Sequence, residues 1–202
     1  MTLRTISRGI VVALVVVVGV VIVIHDRVTA TQAAPQLAGT DLGGVPAPNF
    51  TLMDQTGARV SLAGLRGQPV VLTFLYTHCP DQCPLTAEKL RMTADQLGAQ
   101  AGGVAWLAVS VDPQGDTPAT AAAFVHAHGL DGRLRYLLGS QQALAPVWQA
   151  YHIAVQAGAN GVVNHDAALY LIDARGHERV FLDPTFAPAQ LAGDVRALLA
   201  AG

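Results

Sequence analysis

The chain has 202 residues, enough for one domain with a substantial core and some additional segments. It is 51% hydrophobic and only 13% charged, which excludes a disordered protein, and a formal charge of -2 at pH 7 leaves no basic footprint for nucleic acid. Two cysteines, Cys79 and Cys83, are too few to staple a small scaffold, so the pair asks for a chemical explanation.

At the N-terminus, Arg4 and Arg8 precede an uncharged apolar run over residues 9–24, followed by His25-Asp26-Arg27. Positive charge before the run predicts a cytoplasmic N-terminus and an extracytoplasmic remainder. A sixteen-residue helix spans about 24 Å against roughly 30 Å of hydrocarbon, so the run reads as a short membrane anchor or as the core of a cleavable signal segment. Val28-Thr29-Ala30 offers a small-residue cleavage site, whereas the unbroken Val/Ile composition argues for a retained anchor. A buried core helix is the third reading, weakened by the lack of any polar face. The organisation expected is an anchor or signal segment over residues 1–27, a flexible tether over 28–44 rich in Ala, Gln and Gly, and a folded domain over 45–202.

Within the domain, FTLM, DQTG and ARVSL predict a short hairpin, and PVVLTFLY a strand buried on both faces. Leu90, Ala94, Leu97 and Ala101 recur at helical spacing, and GVAWLAVSV is a second buried strand. In TPATAAAFVHAHG, Thr117 caps a helix, Pro118 takes its first position and Gly129 closes it. RLRYLL is a strand, and SQQALAPVWQAY a helix with Pro146 inside it. DAALYLID and RVFL flank an ARGHE turn as a second hairpin, and APAQLAGDVRALLAA closes the chain as a helix. This order predicts an α/β, thioredoxin-like mixed sheet flanked by helices. Its functional site belongs at the carboxyl ends of the central strands, where YTHCPDQCP falls.

A helix beginning near Asp81 places the two sulfurs about one turn apart, where free amides and the helix dipole favour thiolates. Such a pair forms a disulfide or holds a soft metal, and geometry alone does not choose. Thiol-disulfide enzymes of this fold separate their cysteines by two residues; here three intervene, leaving more room for an ion. Those enzymes also carry a proline opposite the cysteines, yet no proline lies between Pro146 and Pro184. His165 stands there instead, in VVNHDAALYLID, and two thiolates with one imidazole suit three-coordinate Cu(I) better than zinc. Two cysteines are also too few for an iron–sulfur cluster.

Taken together, YTHCPDQCP, VSVDPQGDTP and VVNHDAALYLIDARG resemble, in order and spacing, the Sco/SenC family of membrane-anchored, thioredoxin-like copper chaperones. The resemblance covers the chain from about Val45 to its end. It implies that Cys79, Cys83 and His165 bind copper, Cu(I) and also Cu(II), and that Cys79 and Cys83 pair as a disulfide in the oxidised apo form. It also implies delivery to the dinuclear copper centre of cytochrome c oxidase from a single-pass position on the periplasmic side of the cell membrane. A copper donor or a thiol reductase is a further expected partner. The chain departs from the family's Asp-His pattern: Asn164 precedes His165 and Asp166 follows it, which should alter how the imidazole is oriented.

Several blander readings stand beside this one. The cysteines could form a quiet structural disulfide, and His165 could be a solvated turn residue. His78, next to Cys79, is expected on the opposite face. Asp81 is expected mainly to stabilise the helix start, and Asp112, Asp116 and Thr117 to build a turn and cap. His126 and His128 read as helix C-terminal polarity, and His152 and His177 as loop or edge residues. Two other functions use the same residues: a thiol-disulfide oxidoreductase that reduces the target's cysteines, and a redox or copper sensor. A thiol peroxidase is disfavoured, because Tyr76 and Leu72 replace its Thr and Pro.

Overall fold

The structure is a computed structural model that describes residues 14, 16–21, 37–158 and 163–202. The chain divides into two compact units, Met1–Pro35 and Gln36–Gly202. In the first, residues 14 and 16–21 are helical and exposed; the rest of the expected anchor and its flanks lie outside the described residues. Among the described residues, no helix is long and apolar enough to cross a membrane.

The second unit is built on an eight-stranded mixed sheet. Its strands are β1 (Thr40–Pro46), β2 (Thr51–Asp54), β3 (Arg59–Ser61), β4 (Val70–Leu75), β5 (Ala105–Ser110), β6 (Leu134–Leu138), β9 (Leu169–Ile172) and β10 (His177–Leu182). They lie in the order β1-β10-β9-β4-β5-β6-β2-β3. A separate two-stranded ribbon joins β7 (Val155–Ala157) to β8 (Val163–His165). Every residue of β4 and β5 is buried, as expected for central strands covered on both faces. The helices are α1 (Gln82–Leu97), α2 (Pro118–Ala127), α3 (Gln141–Ala150) and α4 (Pro188–Ala201).

β4, β5 and β6 run parallel, so right-handed crossovers place α1 and α2 on one face of the sheet. α4 packs beside α1, where Arg196 donates to the Gln96 carbonyl at 2.6 Å and Thr93 to that of Pro188 at 3.4 Å. The return from β6 carries α3 across the other face, where Tyr151 meets the rings of Phe74 and Tyr170. This is the thioredoxin-like arrangement expected. Thr117 caps α2 in a reciprocal box with Thr120, Pro118 opens the helix, and Gly129 takes a positive φ of 64° just beyond it. α3 forms over Gln141–Ala150 with Pro146 inside it.

Two expectations need correction. Part of the stretch expected as tether, 28–44, belongs to the sheet: β1 pairs antiparallel with β10, Thr40 facing Phe181 and Pro46 facing His177. The Ala38 N–H is also held by the Asp194 carboxylate at 2.7 Å. An edge strand needs backbone partners more than an apolar pattern, and Gly43 and Gly44, at φ of 72° and 70°, form a bulge that broke the alternation. The helical run also stops early, because Gly98 takes a positive φ of 58° and hands the buried Ala101 to a 3-10 segment, Gly98–Gly103.

Candidate metal and thiol site

Strand direction explains why distant residues meet. β4 and β5 are parallel, so the loops after Leu75 and Ser110 leave the sheet at the same edge. β9 runs antiparallel to β4, with Leu169 opposite Thr73, so the segment entering β9 arrives at that edge too. Three loops therefore converge: residues 76–81 with the first turn of α1, residues 111–117, and the ribbon end at 163–168.

Cys79 lies in the first loop, half-buried, and Cys83 on the first turn of α1, at 1% exposure; both are free thiols. The Cys83 N–H points to the Cys79 sulfur at 3.4 Å. His165 ends β8 and brings its Nε2 to 3.9 Å from Cys83 Sγ. The three residues singled out in the sequence thus share one corner of the fold. Where thiol-disulfide enzymes of this fold carry proline, Asp166-Ala167-Ala168 leads into β9, and Thr73 donates to the Ala168 carbonyl at 2.9 Å.

The two sulfurs differ, which corrects the expectation that the helix start keeps both anionic. Burial pushes the Cys79 thiol up, but N–H groups of Asp81 and Cys83, with the Cys83 thiol and the Tyr76 hydroxyl, outweigh it and hold Cys79 below the usual thiol range. Burial drives Cys83 far above that range, and a neighbouring Cys79 thiolate adds to the effect. The helix dipole does not offset the removal of Cys83 from water. Burial also lowers the His165 imidazole, against a smaller upward pull from the Asp166 carbonyl, so the ring is neutral at pH 7.

The His165 Nδ1 faces the backbone carbonyl of Asp166 at 3.0 Å, while the Asp166 carboxylate accepts the Ala154 N–H at 3.0 Å. The carboxylate thus closes the ribbon's base and leaves the ring to the backbone. Asn164 is exposed on β8, opposite Gln156. Asp81 precedes α1 without a capping bond; its carboxylate only meets Gln82 Nε2 at 3.3 Å.

Among the described residues, His78, Asp112 and Asp116 bring possible ligand atoms within 4.8 Å of one another. The Asp116 oxygens are already occupied, however. One accepts from the Thr77 N–H at 2.8 Å and its hydroxyl at 2.7 Å; the other accepts from Ser110 at 2.6 Å and Tyr136 at 3.0 Å. Asp112 accepts the N–H groups of Gln114 and Gly115. Turn building, as expected, accounts for both carboxylates. His78 turns to Thr77 Oγ1 at 3.1 Å, His126 pairs with Asp131 at 3.0 Å, and the His128 ring meets that of Phe124 at a tilt of 52°.

Sequence reasoning missed Tyr76. Its ring meets His165 edge-on, with centroids 5.8 Å apart, and its carbonyl accepts the Cys79 N–H at 3.3 Å. The available signal was a tyrosine at the buried end of a strand, which needs a partner for its hydroxyl.

The profile of the SCO1/SenC family matches residues 41–200. The chain belongs to that family. Among SCO1/SenC relatives, the cattle (Bos taurus) protein called SCO2 homolog, mitochondrial, is 35% identical over 160 residues, covering 76% of this chain and 59% of its own length. The chain thus spans about three fifths of that mitochondrial relative. The protein SenC of Rhodobacter capsulatus is 29% identical over 197 residues, covering 93% of this chain and 86% of its own. The structure of Bradyrhizobium japonicum ScoI, solved with copper bound, aligns at a TM-score of 0.68 and 29% identity, covering 76% of this chain and 99% of that one.

Proposed function

We propose that this SCO1/SenC protein is a copper carrier in which Cys79, Cys83 and His165 bind one copper ion. The observation that carries the reading is the 3.9 Å between Cys83 Sγ and His165 Nε2, made across 82 residues of sequence. An ion bound at about 2.3 Å to sulfur and about 2.05 Å to nitrogen, with trigonal angles, requires some 3.8 Å between those atoms. Two sulfurs and one neutral imidazole suit Cu(I) and leave a position open for an incoming ligand, as transfer requires. The copper-bound Bradyrhizobium relative supports the same cargo. The acceptor, by family resemblance, is the dinuclear copper centre of cytochrome c oxidase. Anchoring through residues 9–24, with the domain on the extracytoplasmic side, completes the proposal and suits a membrane-bound target.

A second reading rests on the inequality of the thiols. A half-exposed, readily ionised Cys79 beside a buried, protonated Cys83 is the division of labour of a dithiol reductase. The Cys79 thiolate attacks a target disulfide and releases one target thiolate, and the mixed disulfide forms. Cys83 then loses its proton and attacks Cys79, releasing the second target thiol and leaving a Cys79–Cys83 disulfide. An external dithiol must restore the reduced pair, so a thiol reductase is the partner implied.

His165→Ala separates the two. The carrier reading expects this variant to lose bound copper and the copper–thiolate charge-transfer band, while reduction of a model disulfide continues. A variant that keeps one tightly held copper per chain overturns the three-ligand set.

A further inference from the structure

Tyr76 follows β4 directly and is only 2% exposed, although it borders an open site. Between them its parts reach all three members of the proposed ligand set. Its carbonyl accepts the Cys79 N–H at 3.3 Å, and its own N–H faces the Cys83 sulfur. Its ring stands nearly perpendicular to that of His165, at 83°. Its hydroxyl faces the Cys79 sulfur and the Val163 N–H.

The ribbon that carries His165 makes this arrangement matter. β7 and β8 pair with each other and with no strand of the eight-stranded sheet among the described residues. Asp166 closes the base of the ribbon on Ala154, through its N–H at 3.2 Å and its carboxylate at 3.0 Å, but both bonds are internal to the ribbon. Sheet pairing therefore does not fix the distance from His165 to the cysteines.

We propose that Tyr76 is a positioning residue of the copper site: its ring and hydroxyl clamp β8, and with it His165, against the cysteine loop. The clamp rests on the three-ligand reading above, and it predicts that ring and hydroxyl contribute separately. Phenylalanine keeps the edge-on contact and loses the polar contacts with Val163 and Cys79. Leucine loses both.

The test compares the full chain with Tyr76→Phe and Tyr76→Leu, reduced and metal-free, by NMR, and then by Cu(I) competition with a chromophoric chelator. In Tyr76→Phe, the His165 ring-proton shifts should persist, Val163 amide exchange should accelerate about 10-fold, and copper affinity should fall about 10-fold. In Tyr76→Leu, the ring shifts should also collapse and affinity fall about 100-fold, the upper range for groups that orient metal ligands. Unchanged Val163 exchange with affinities within twofold of the parent overturns the clamp and leaves the copper reading intact. A parent protein that takes up no copper overturns the copper reading, and Val163 exchange with His165 shifts then decides the clamp alone. Should Tyr76→Leu lose its circular-dichroism signature, Tyr76→Phe decides by the same criteria.

Discussion

His165 rests its Nδ1 on the backbone carbonyl of Asp166, 3.0 Å away, and the Asp166 side chain takes no part in that contact. A carbonyl only accepts, so Nδ1 carries the proton and Nε2 presents its lone pair towards Cys83. The tautomer needed for a metal ligand is therefore set by the main chain.

Substitution beside the histidine should accordingly be mild. Asp166→Ala keeps the carbonyl and loses only the bond to Ala154, so copper stoichiometry should stay at one per chain, with affinity reduced about 3- to 10-fold. Asn164→Asp, which restores the family's Asp-His order on an exposed position, should change affinity less than twofold. Competition titration of both variants checks this, and a loss of binding in either would assign the side chain a direct role.

Thiol reactivity should be lopsided. Cys79 is held below the ordinary thiol range and is half-buried, whereas Cys83 is far above it and at 1% exposure. Iodoacetamide at pH 7 should label Cys79 at least about tenfold faster than Cys83, because only the thiolate attacks. Peptide mapping after timed labelling reads the ratio directly, and equal rates would contradict the burial of Cys83.

Copper affinity should rise with pH. Cys83 keeps its proton throughout the neutral range, so binding as a thiolate releases that proton. His165, lowered from 6.5, is already neutral above that pH and releases none. The logarithm of the apparent constant should then climb by at least about one per pH unit between pH 7 and 8. A flat profile in Cu(I) competition would mean that Cys83 is not bound as a thiolate.

Asp116 should prove structural. Asp116→Ala strips partners from the Thr77 N–H and from the hydroxyls of Thr77, Ser110 and Tyr136, two of them on residues without solvent exposure. Urea denaturation should show a loss of about 2–4 kcal/mol. Copper stoichiometry should persist in the folded fraction, since the carboxylate is already saturated.

The sequence by itself determined the sheet strands other than β1, the four helices of the domain and the corner where chemistry gathers. Hydrophobic period, Gly and Pro punctuation and the cysteine spacing are local signals, written within a few residues. It also singled out His165 through its place ahead of β9. Tertiary structure decided what local signals do not encode. β1 is held by backbone pairing with β10, and its glycine bulge hides it from any pattern search. Dipole arguments made both sulfurs alike, but only packing shows Cys83 taken out of water while Cys79 keeps N–H donors around it. Tyr76 looks like one more apolar strand residue until the antiparallel entry into β9 brings His165 back against its ring. Desolvation and through-space contact depend on which surfaces the fold closes together, and the chain records those only when all its long-range pairings form at once.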